Sequence, residues 1–380
     1  MKIGIDARTL SNKRGIGNVV FHLLQALSAT PADSIYIIYV DEPKALDFVP
    51  SDPRFYGKLI RPKLYPFWEQ IALPYHAIKD QLDILHCPAN SAPIFLPKRI
   101  KLVLTIHDVM FMFPSYQLPK SPSLYQRLGR QYLKYIVPLA ARKASAITTV
   151  SSTSREDILQ YIRMLDRDRI SVIWSAANGE CKEILNDSLL NETKEKFNLK
   201  SHSHFILSLG ALDPRKNTST VLKAFAKFQK TNLLNIQLVI VGLTSAGIEK
   251  FKQLAKNLGI ENDVVFAGFV SESDLVALYN LATLLLYPSL YEGFGLPVLE
   301  AMMCGTAVIA SNSGSIPEIA GDAALMVNPS EIGELVEAMH LLFSDNQLRN
   351  DLVIKGRARA RMFSWQKMAD ETFNVYQSLS

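Results

Sequence analysis

Short apolar runs recur along this chain, and most are followed by a stretch with helical apolar spacing. In the first half they are Lys2–Asp6, Ile35–Val40, Ile84–His86, Lys101–Ile106, Ala146–Val150 and Ile170–Ile173. In the second half they are Phe205–Leu209, Gln237–Val241, Val264–Ala267, Thr283–Tyr287, Ala307–Ala310 and Ala324–Val327. Runs that are apolar throughout, without polar alternation, suit strands buried on both faces, and strands alternating with helices close into parallel sheets. The pattern therefore predicts an α/β protein. It stops in the polar stretch Ala176–Ser203 and then restarts, and 380 residues exceed one ordinary domain. Two Rossmann-like domains are expected, at residues 1–178 and 204–362, joined by a linker at 179–203 and followed by a segment at 363–380.

The run Thr283–Tyr287 leads into Ser289-Leu-Tyr-Glu-Gly-Phe-Gly-Leu-Pro-Val-Leu-Glu-Ala-Met-Met-Cys-Gly305. A strand passes into a loop with two glycines and a carboxylate, and then into a helix with Pro297 in its first turn and Gly305 at its stop. Glycines let a ligand approach the backbone, and the amides that open a helix are free to bind oxygen atoms. Glu292 and Glu300 stand eight positions apart. They suit two hydroxyl-bearing parts of one ligand, such as a sugar and a ribose.

Further candidates sit where strands give way to loops, the place where open α/β sheets bind ligands. Arg14-Gly-Ile-Gly17 follows the first strand, but the third small residue of a dinucleotide fingerprint is a valine, Val20, which disfavours NAD. The Gly15–Gly17 loop reads either as a backbone approach site for a phosphate or sugar or as a tight turn. His107 ends the run Lys101–Ile106 and is followed by Asp108. It is either a structural histidine or a group that donates to a ligand hydroxyl or phosphate, or assists proton transfer. His86 also ends a strand and ranks below it. Arg215-Lys216 closes the Gly210 loop just before a helix, a receptor for a diphosphate if the loop is functional and an exposed basic turn if not. Asp166-Arg-Asp168 lies in a charged run and reads as a solvated turn, with no metal role.

The net charge of +5 is uneven. Residues 1–180 hold 23 Lys+Arg against 15 Asp+Glu, and residues 181–380 hold 18 against 21. A basic first half points either to an anionic partner, such as a phosphate-bearing substrate or an acidic lipid surface, or to simple solvation. No dense basic cluster interleaved with aromatics argues for nucleic acid. Cys87, Cys181 and Cys304 are far apart in apolar surroundings, which argues against a disulfide framework and for a reducing, cytoplasmic setting. The first residues read as a strand and not as a signal peptide, and no apolar run has the length of a membrane helix.

The stretches Arg14–Gly17, Thr105–Asp108, Val150–Ser152, Ser208–Asn217, Gly268–Val270 and Pro288–Met302 together resemble the retaining nucleotide-sugar glycosyltransferases of family four, which have the GT-B fold. The resemblance implies two Rossmann-like domains facing across a cleft. The nucleotide-sugar donor would be held by the C-terminal domain and a glycan or lipid-linked acceptor mostly by the N-terminal one, with the last helix returning to the N-terminal domain. It implies that Lys216 and Arg215 neutralise the departing diphosphate, so that no metal and no cofactor is required. Glu300 would bind the ribose. Glu292 would bind the transferred sugar, beside the amides of Phe294, Gly295 and Leu296. The backbone near Val270 would meet the base. His107 would contact sugar or acceptor, Gly210 would line the donor loop, and Gly15 and Gly17 would approach the phosphates. Many relatives carry an arginine where this chain has Ala211, which throws the charge onto Arg215 and Lys216. The nearest resemblance is to mannosyltransferases of surface-polysaccharide assembly, with GDP-mannose as the expected donor, in a cytoplasmic enzyme with peripheral contact to an anionic membrane. The competing readings are a nucleotide-sugar epimerase or hydrolase, and a nucleotide-sugar-binding protein without catalysis.

Overall fold

Lys2–Asp6 forms β1 and Ile35–Val40 forms β2, paired in parallel from Lys2 beside Ile35 to Asp6 beside Tyr39, with helix α1 (Ile16–Ala29) between them in the chain. These are coordinates of a computed structural model, which describes residues 1–11, 15–31, 33–114, 124–200, 204–231 and 234–380. Arg14 of the first glycine loop, most of the loop expected over 110–120, and 201–203 of the expected linker lie outside the described residues. The first sheet continues with β3 (Phe55–Leu59), β4 (Ile84–Cys87), β5 (Lys101–Thr105), β6 (Ala146–Thr149) and β7 (Ile170–Val172). Its order is β3-β2-β1-β4-β5-β6-β7, all parallel. The chain runs outward from β1 to β3, then returns to the other side of β1 at β4. The reversal between β1 and β4 is the topological switch point of this sheet.

Helices α2 (Tyr65–Phe67) and α3 (Leu73–Lys79) are joined without a break by a π-helical turn, Trp68–Ala72. The sequence reading leaves 67–83 unassigned, because these helices are apolar on nearly every face and carry Pro66 and Pro74, so no period shows. A buried carboxylate fixes them. Glu69 Oε1 accepts from Tyr65 (2.8 Å) and Ser91 (2.5 Å), and its Oε2 accepts from Tyr132 (2.6 Å) and Gln70 (2.7 Å). Tyr132 belongs to α4 (Leu124–Lys143) and Ser91 to the loop after β4, so one side chain ties three segments together. Helix α5 (Ser152–Tyr161) is capped by Ser151, whose hydroxyl accepts from the Ser154 amide.

The second sheet is β8 (His204–Leu209), β9 (Ile236–Val241), β10 (Val264–Gly268), β11 (Leu284–Tyr287), β12 (Ala307–Ser311) and β13 (Leu325–Val327), in the parallel order β10-β9-β8-β11-β12-β13. Its reversal falls between β8 and β11. Around it run α6 (Asp187–Lys196), α7 (Thr218–Thr231), α8 (Ser245–Leu258), α9 (Glu272–Leu281), α10 (Leu296–Met303), α11 (Ile316–Ala320), α12 (Ile332–Ser344) and α13 (Asn346–Ala360). The chain divides into two compact units, one made of described residues from 1–113, 124–175 and 364–380, the other of those from 176–363. The described part of the stretch read as linker therefore belongs to the second unit. There Asn186 caps α6 by accepting from the Ser188 and Leu189 amides, and Lys196 pairs with Asp274 of α9 at 2.8 Å. Its apolar residues are too sparse to show a helix against the polar background.

The last helix, α14 (Trp365–Gln377), follows the second unit in sequence but packs in the first. Trp365 stacks on His22 of α1 at 4.6 Å, and the Tyr376 hydroxyl meets His86 Nδ1 at 2.6 Å. Among the described residues no helix is long and apolar enough to cross a membrane.

Candidate active site

Both loops at the reversal of the second sheet carry predicted site residues. After β8 the chain passes Gly210 and turns through Pro214–Lys216, a short 3-10 turn capped by Asp213. Asn217 ends the turn in the left-handed region (φ 55°), and its side-chain amide donates to the carbonyls of Pro288 (3.1 Å) and Pro329 (2.7 Å). This cross-link sets the β8 loop against the loop that follows β11. Gly210 has a packing reason for being glycine: a Cβ there would lie 2.6 Å from Ile240 Cγ2.

The two loops meet at a charged centre. Lys216 Nζ donates to Glu292 Oε1 (2.7 Å) and to the Tyr287 hydroxyl (2.6 Å), while Tyr287 and Ser289 donate to the same Glu292 oxygen (2.7 and 2.6 Å). Burial pushes the Glu292 carboxyl up, but the Lys216 charge and the hydrogen bonds from Lys216, Ser289 and Tyr287 outweigh it and hold it below its ordinary value. Glu292 is thus an ionised acceptor and not a proton source at neutral pH. Burial, then the Glu292 charge, pushes the Tyr287 phenol well above its ordinary range.

Arg215 is arranged differently from Lys216. Its Nε donates to Asp213 Oδ1 (3.1 Å) and its terminal nitrogen pairs with Asp213 Oδ2, so a carboxylate of its own loop balances its charge. Its carbonyl accepts from the Leu290 amide (2.7 Å) and, more weakly, shares the Ser289 hydroxyl proton (3.0 Å) with Glu292, which fastens the loops a second time.

Gly295 caps α10 with φ 107°, a conformation that favours glycine, and Pro297 stands in the first turn. Among the described residues the amides of Phe294, Gly295 and Leu296 donate to no backbone oxygen. They form the positive end of a helix that starts four residues after Glu292. Phe294 itself is buried edge-on against Phe363. Farther along α10, Glu300 Oε2 accepts from Tyr279 of α9 (3.0 Å), and burial raises its carboxyl above the ordinary value despite that bond. Val270 lies between the end of β10 and the Ser271–Asp274 capping box of α9.

The remaining predicted residues belong to the first unit. Gly15 caps α1 at φ 54°, and nothing stands within 4 Å of where its Cβ would be, so its surroundings are open. Gly17 is buried inside α1 and is a helix residue, not part of an open loop. His107 follows β5 and is buried. Its amide donates to Asn90 Oδ1 (2.7 Å) and its Nε2 donates to the Pro88 carbonyl (2.9 Å) in the loop after β4. A carbonyl can only accept, so Nε2 carries the proton; burial lowers the pKa, and the ring is neutral. Its one donor is committed, and Nδ1 offers a lone pair that can only accept. His86, ranked lower, is a buried structural link from β4 to Thr105 and Tyr376. Asp166 caps a 3-10 turn, in line with the reading as a turn.

Sequence reading assigned no role to Tyr287, Gly314 or Ser315. Tyr287 is the last residue of β11, and the strand-end argument that singled out His107 applies to it equally. The Ser315 hydroxyl shares its proton between the carbonyls of Glu292 (3.0 Å) and Phe294 (2.7 Å), and Gly314 (φ 62°) leaves no room for a Cβ beside the Glu292 backbone.

Comparison with known proteins places the chain in a class. Residues 13–178 match the family described as Glycosyltransferase Family 4, and residues 191–359 match Glycosyl transferases group 1. The chain belongs to these glycosyltransferases, its two Rossmann-like parallel-sheet units are those of the GT-B fold, and it is an enzyme of the hexosyltransferase kind. It is 30% identical to O-antigen chain mannosyltransferase B of Escherichia coli over 315 residues, 80% of this chain and 76% of that one. It is 32% identical to the serotype-specific mannosyltransferase WbdA of Escherichia coli over 74% of this chain, but spans only 33% of that longer protein. Among solved structures it resembles Anabaena HepE in complex with UDP and glucose, with TM-score 0.74 and 17% identity over the whole of both chains.

Proposed function

We propose that the enzyme transfers a hexose from a nucleotide sugar to a glycan or lipid-linked saccharide in surface-polysaccharide biosynthesis, with retention and without a metal or other cofactor. Mannose from GDP-mannose is the first donor to test, because the relatives named above are mannosyltransferases. The relative solved with UDP and glucose supports a nucleotide-sugar donor. We place the enzyme in the cytoplasm, with its basic first half in peripheral contact with an anionic membrane.

The observation that carries this reading is the centre formed by Lys216, Glu292 and Tyr287 beside the open end of α10. Breaking the bond between the anomeric carbon and the diphosphate leaves negative charge on phosphate and oxocarbenium-like positive charge on the sugar. Lys216, with Arg215 behind it, meets the first. Glu292, held ionised and pointed by Ser289 and Tyr287, accepts from hydroxyls of the transferred sugar, and the amides of 294–296 donate beside it. Glu300 takes the ribose hydroxyls, and the backbone near Val270 the base. The acceptor hydroxyl attacks from the face the diphosphate leaves, and its proton passes to a diphosphate oxygen. The products are the glycoside and the free nucleoside diphosphate. His107 Nδ1, able only to accept, takes a hydrogen bond from a hydroxyl.

The test is transfer from labelled GDP-mannose to a lipid-linked saccharide extract, with the anomeric configuration of the product read by NMR. Glu292→Ala and Lys216→Ala should each lower turnover by about a hundredfold or more. A chelator should leave the wild type unaffected. Near-normal turnover in both variants would sink the mechanism.

A further inference from the structure

One face of the first unit carries an apolar stripe that, among the described residues, no part of that unit covers. On the continuous helix from α2 through α3, Phe67, Ile71, Tyr75 and Ile78 are exposed, with Leu64 just before it. Ile71 and Tyr75 are each 58% exposed. The steps of three and four residues place these side chains on one face. The opposite face, with Trp68, Ala72, Leu73 and Ala77, is buried in the core. The helix is therefore apolar on both sides, although among the described residues only one side is packed against protein.

Two neighbouring segments extend the stripe. The Gln70 side chain bonds both the Ala92 carbonyl (3.2 Å) and the Ile94 amide (3.0 Å), which seats the 92–96 segment beside the helix. Phe95, 71% exposed, projects from it with Lys143 Nζ 4.9 Å from its ring centre. Helix α4, joined to the same place through Tyr132 and Glu69, exposes Leu128, Tyr135 and Leu139.

The exposed charges that these segments themselves carry are of one sign. Residues 63–79, 92–101 and 124–143 together hold ten Lys and Arg and a single carboxylate, and that carboxylate is Glu69, which is fully buried. Lys63 has a partner in Glu42 at 3.0 Å. A groove of about 740 Å³ opens beside Phe95, with Lys98, Lys101 and Lys143 among its lining residues. Exposed aliphatic and aromatic side chains on segments rich in Lys and Arg, which carry no exposed acid of their own, are complementary to an anionic lipid interface. There apolar groups enter the acyl boundary while Lys and Arg meet the headgroups.

We propose that this surface, formed by the α2–α3 helix, the 92–96 segment and the outer side of α4, seats the enzyme on an anionic lipid bilayer. The proposal rests on the membrane contact inferred above and gives it an address. Glu69 acts as the internal bolt that keeps the three segments in one plane.

The experiment is sedimentation with vesicles of phosphatidylcholine, with and without phosphatidylglycerol. Wild-type protein should partition onto the phosphatidylglycerol vesicles, less so at raised salt, and only weakly onto pure phosphatidylcholine. The double variant Ile71→Glu/Tyr75→Glu changes exposed side chains only. It should lose at least tenfold in partitioning while keeping the wild-type melting temperature and donor turnover. If the wild type ignores anionic vesicles, the membrane contact and the surface fall together. If the wild type binds and the double variant binds equally well, the contact stands and this surface is overturned. Equal wild-type binding to both vesicle types overturns the role of the cations. A wild-type dimer that the double variant splits, seen by light scattering, assigns the stripe to a second copy and also overturns the proposal.

Discussion

Gly314 shows how a residue without a reacting group sets the geometry of one that has it. Its φ of 62° is unfavourable for any side chain, and a Cβ there would stand 3.0 Å from the Glu292 carbonyl oxygen and 3.1 Å from its amide nitrogen. The Gly314→Ala variant should cost about 1–2 kcal/mol from the backbone conformation alone. It should also displace the Glu292 loop, so turnover should fall by at least about tenfold, since small misplacements at a reacting centre are expensive. Gly259→Ala is the control: its φ is 70° and nothing lies within 4 Å of the new Cβ, so it should lose stability and keep turnover. Equal turnover in the two variants, measured at a temperature where both are folded, would show that Gly314 does not position Glu292. The candidate site was legible in sequence where its residues share one loop-to-helix stretch, as with Glu292 and Glu300, or follow a strand end, as with Lys216. Gly314 and Ser315 act on Glu292 from the loop after a different strand, and no linear spacing encodes that contact. The pairing of Arg215 with Asp213 was within reach of sequence, because the two stand in one turn.

At the scale of elements, strands were easier to read than helices. A buried parallel strand is a block of apolar residues, so every run read as a strand appears in the two sheets, with ends shifted by a residue or two. Helix α6 and the α2–α3 helix went unread for opposite reasons, too few apolar residues in one and too many in the other. Helix α14 is held in the first unit by an interaction that should report on pH. His86, buried on β4, is bonded through Nδ1 to Tyr376 of α14 and through Nε2 to Thr105 of β5. Burial, and secondarily His107, lowers its pKa to about 3. The folded protein thus binds fewer protons than the unfolded chain between pH 3 and the ordinary histidine value of 6.5, and stability falls as pH drops through that window. The slope from this one group approaches about 1.4 kcal/mol per pH unit. His86→Gln retains hydrogen-bonding capacity but cannot titrate. Urea melts at a series of pH values from neutral to about 5 should show wild-type stability declining relative to the variant by about 2 kcal/mol. A constant difference across that range would mean that His86 titrates normally in the folded state.

The whole chain repeats one solution. Each unit has a parallel sheet that runs outward from its first strand, then reverses to the other side of it, and in each the loops beside the reversal gather polar side chains. In the first sheet the reversal lies beside Asp6 and Ser91, and in the second beside Lys216 and Glu292. The restart of the strand pattern after residue 203 made two sheets legible, whereas their order followed only from the pairing. Arg215, Lys216, Val270, Glu292 and Glu300, proposed for the diphosphate, base, sugar and ribose, lie in the second unit, while Gly15, Gly17 and His107 belong to the first, and this has a thermodynamic consequence. A ligand that binds only the folded form stabilises what it binds, by about 2.7 kcal/mol at a hundred times its dissociation constant. Scanning calorimetry with a panel of nucleoside diphosphates should therefore raise the unfolding transition of the second unit, GDP most if the donor is GDP-mannose. If the two units melt separately, the transition of the first unit should stay in place. Lys216→Ala should reduce the shift, because its amine is the cation assigned to the diphosphate, while Ile71→Glu should not. A full shift in Lys216→Ala would remove that assignment, and a GDP shift confined to the first unit's transition would move the donor site there.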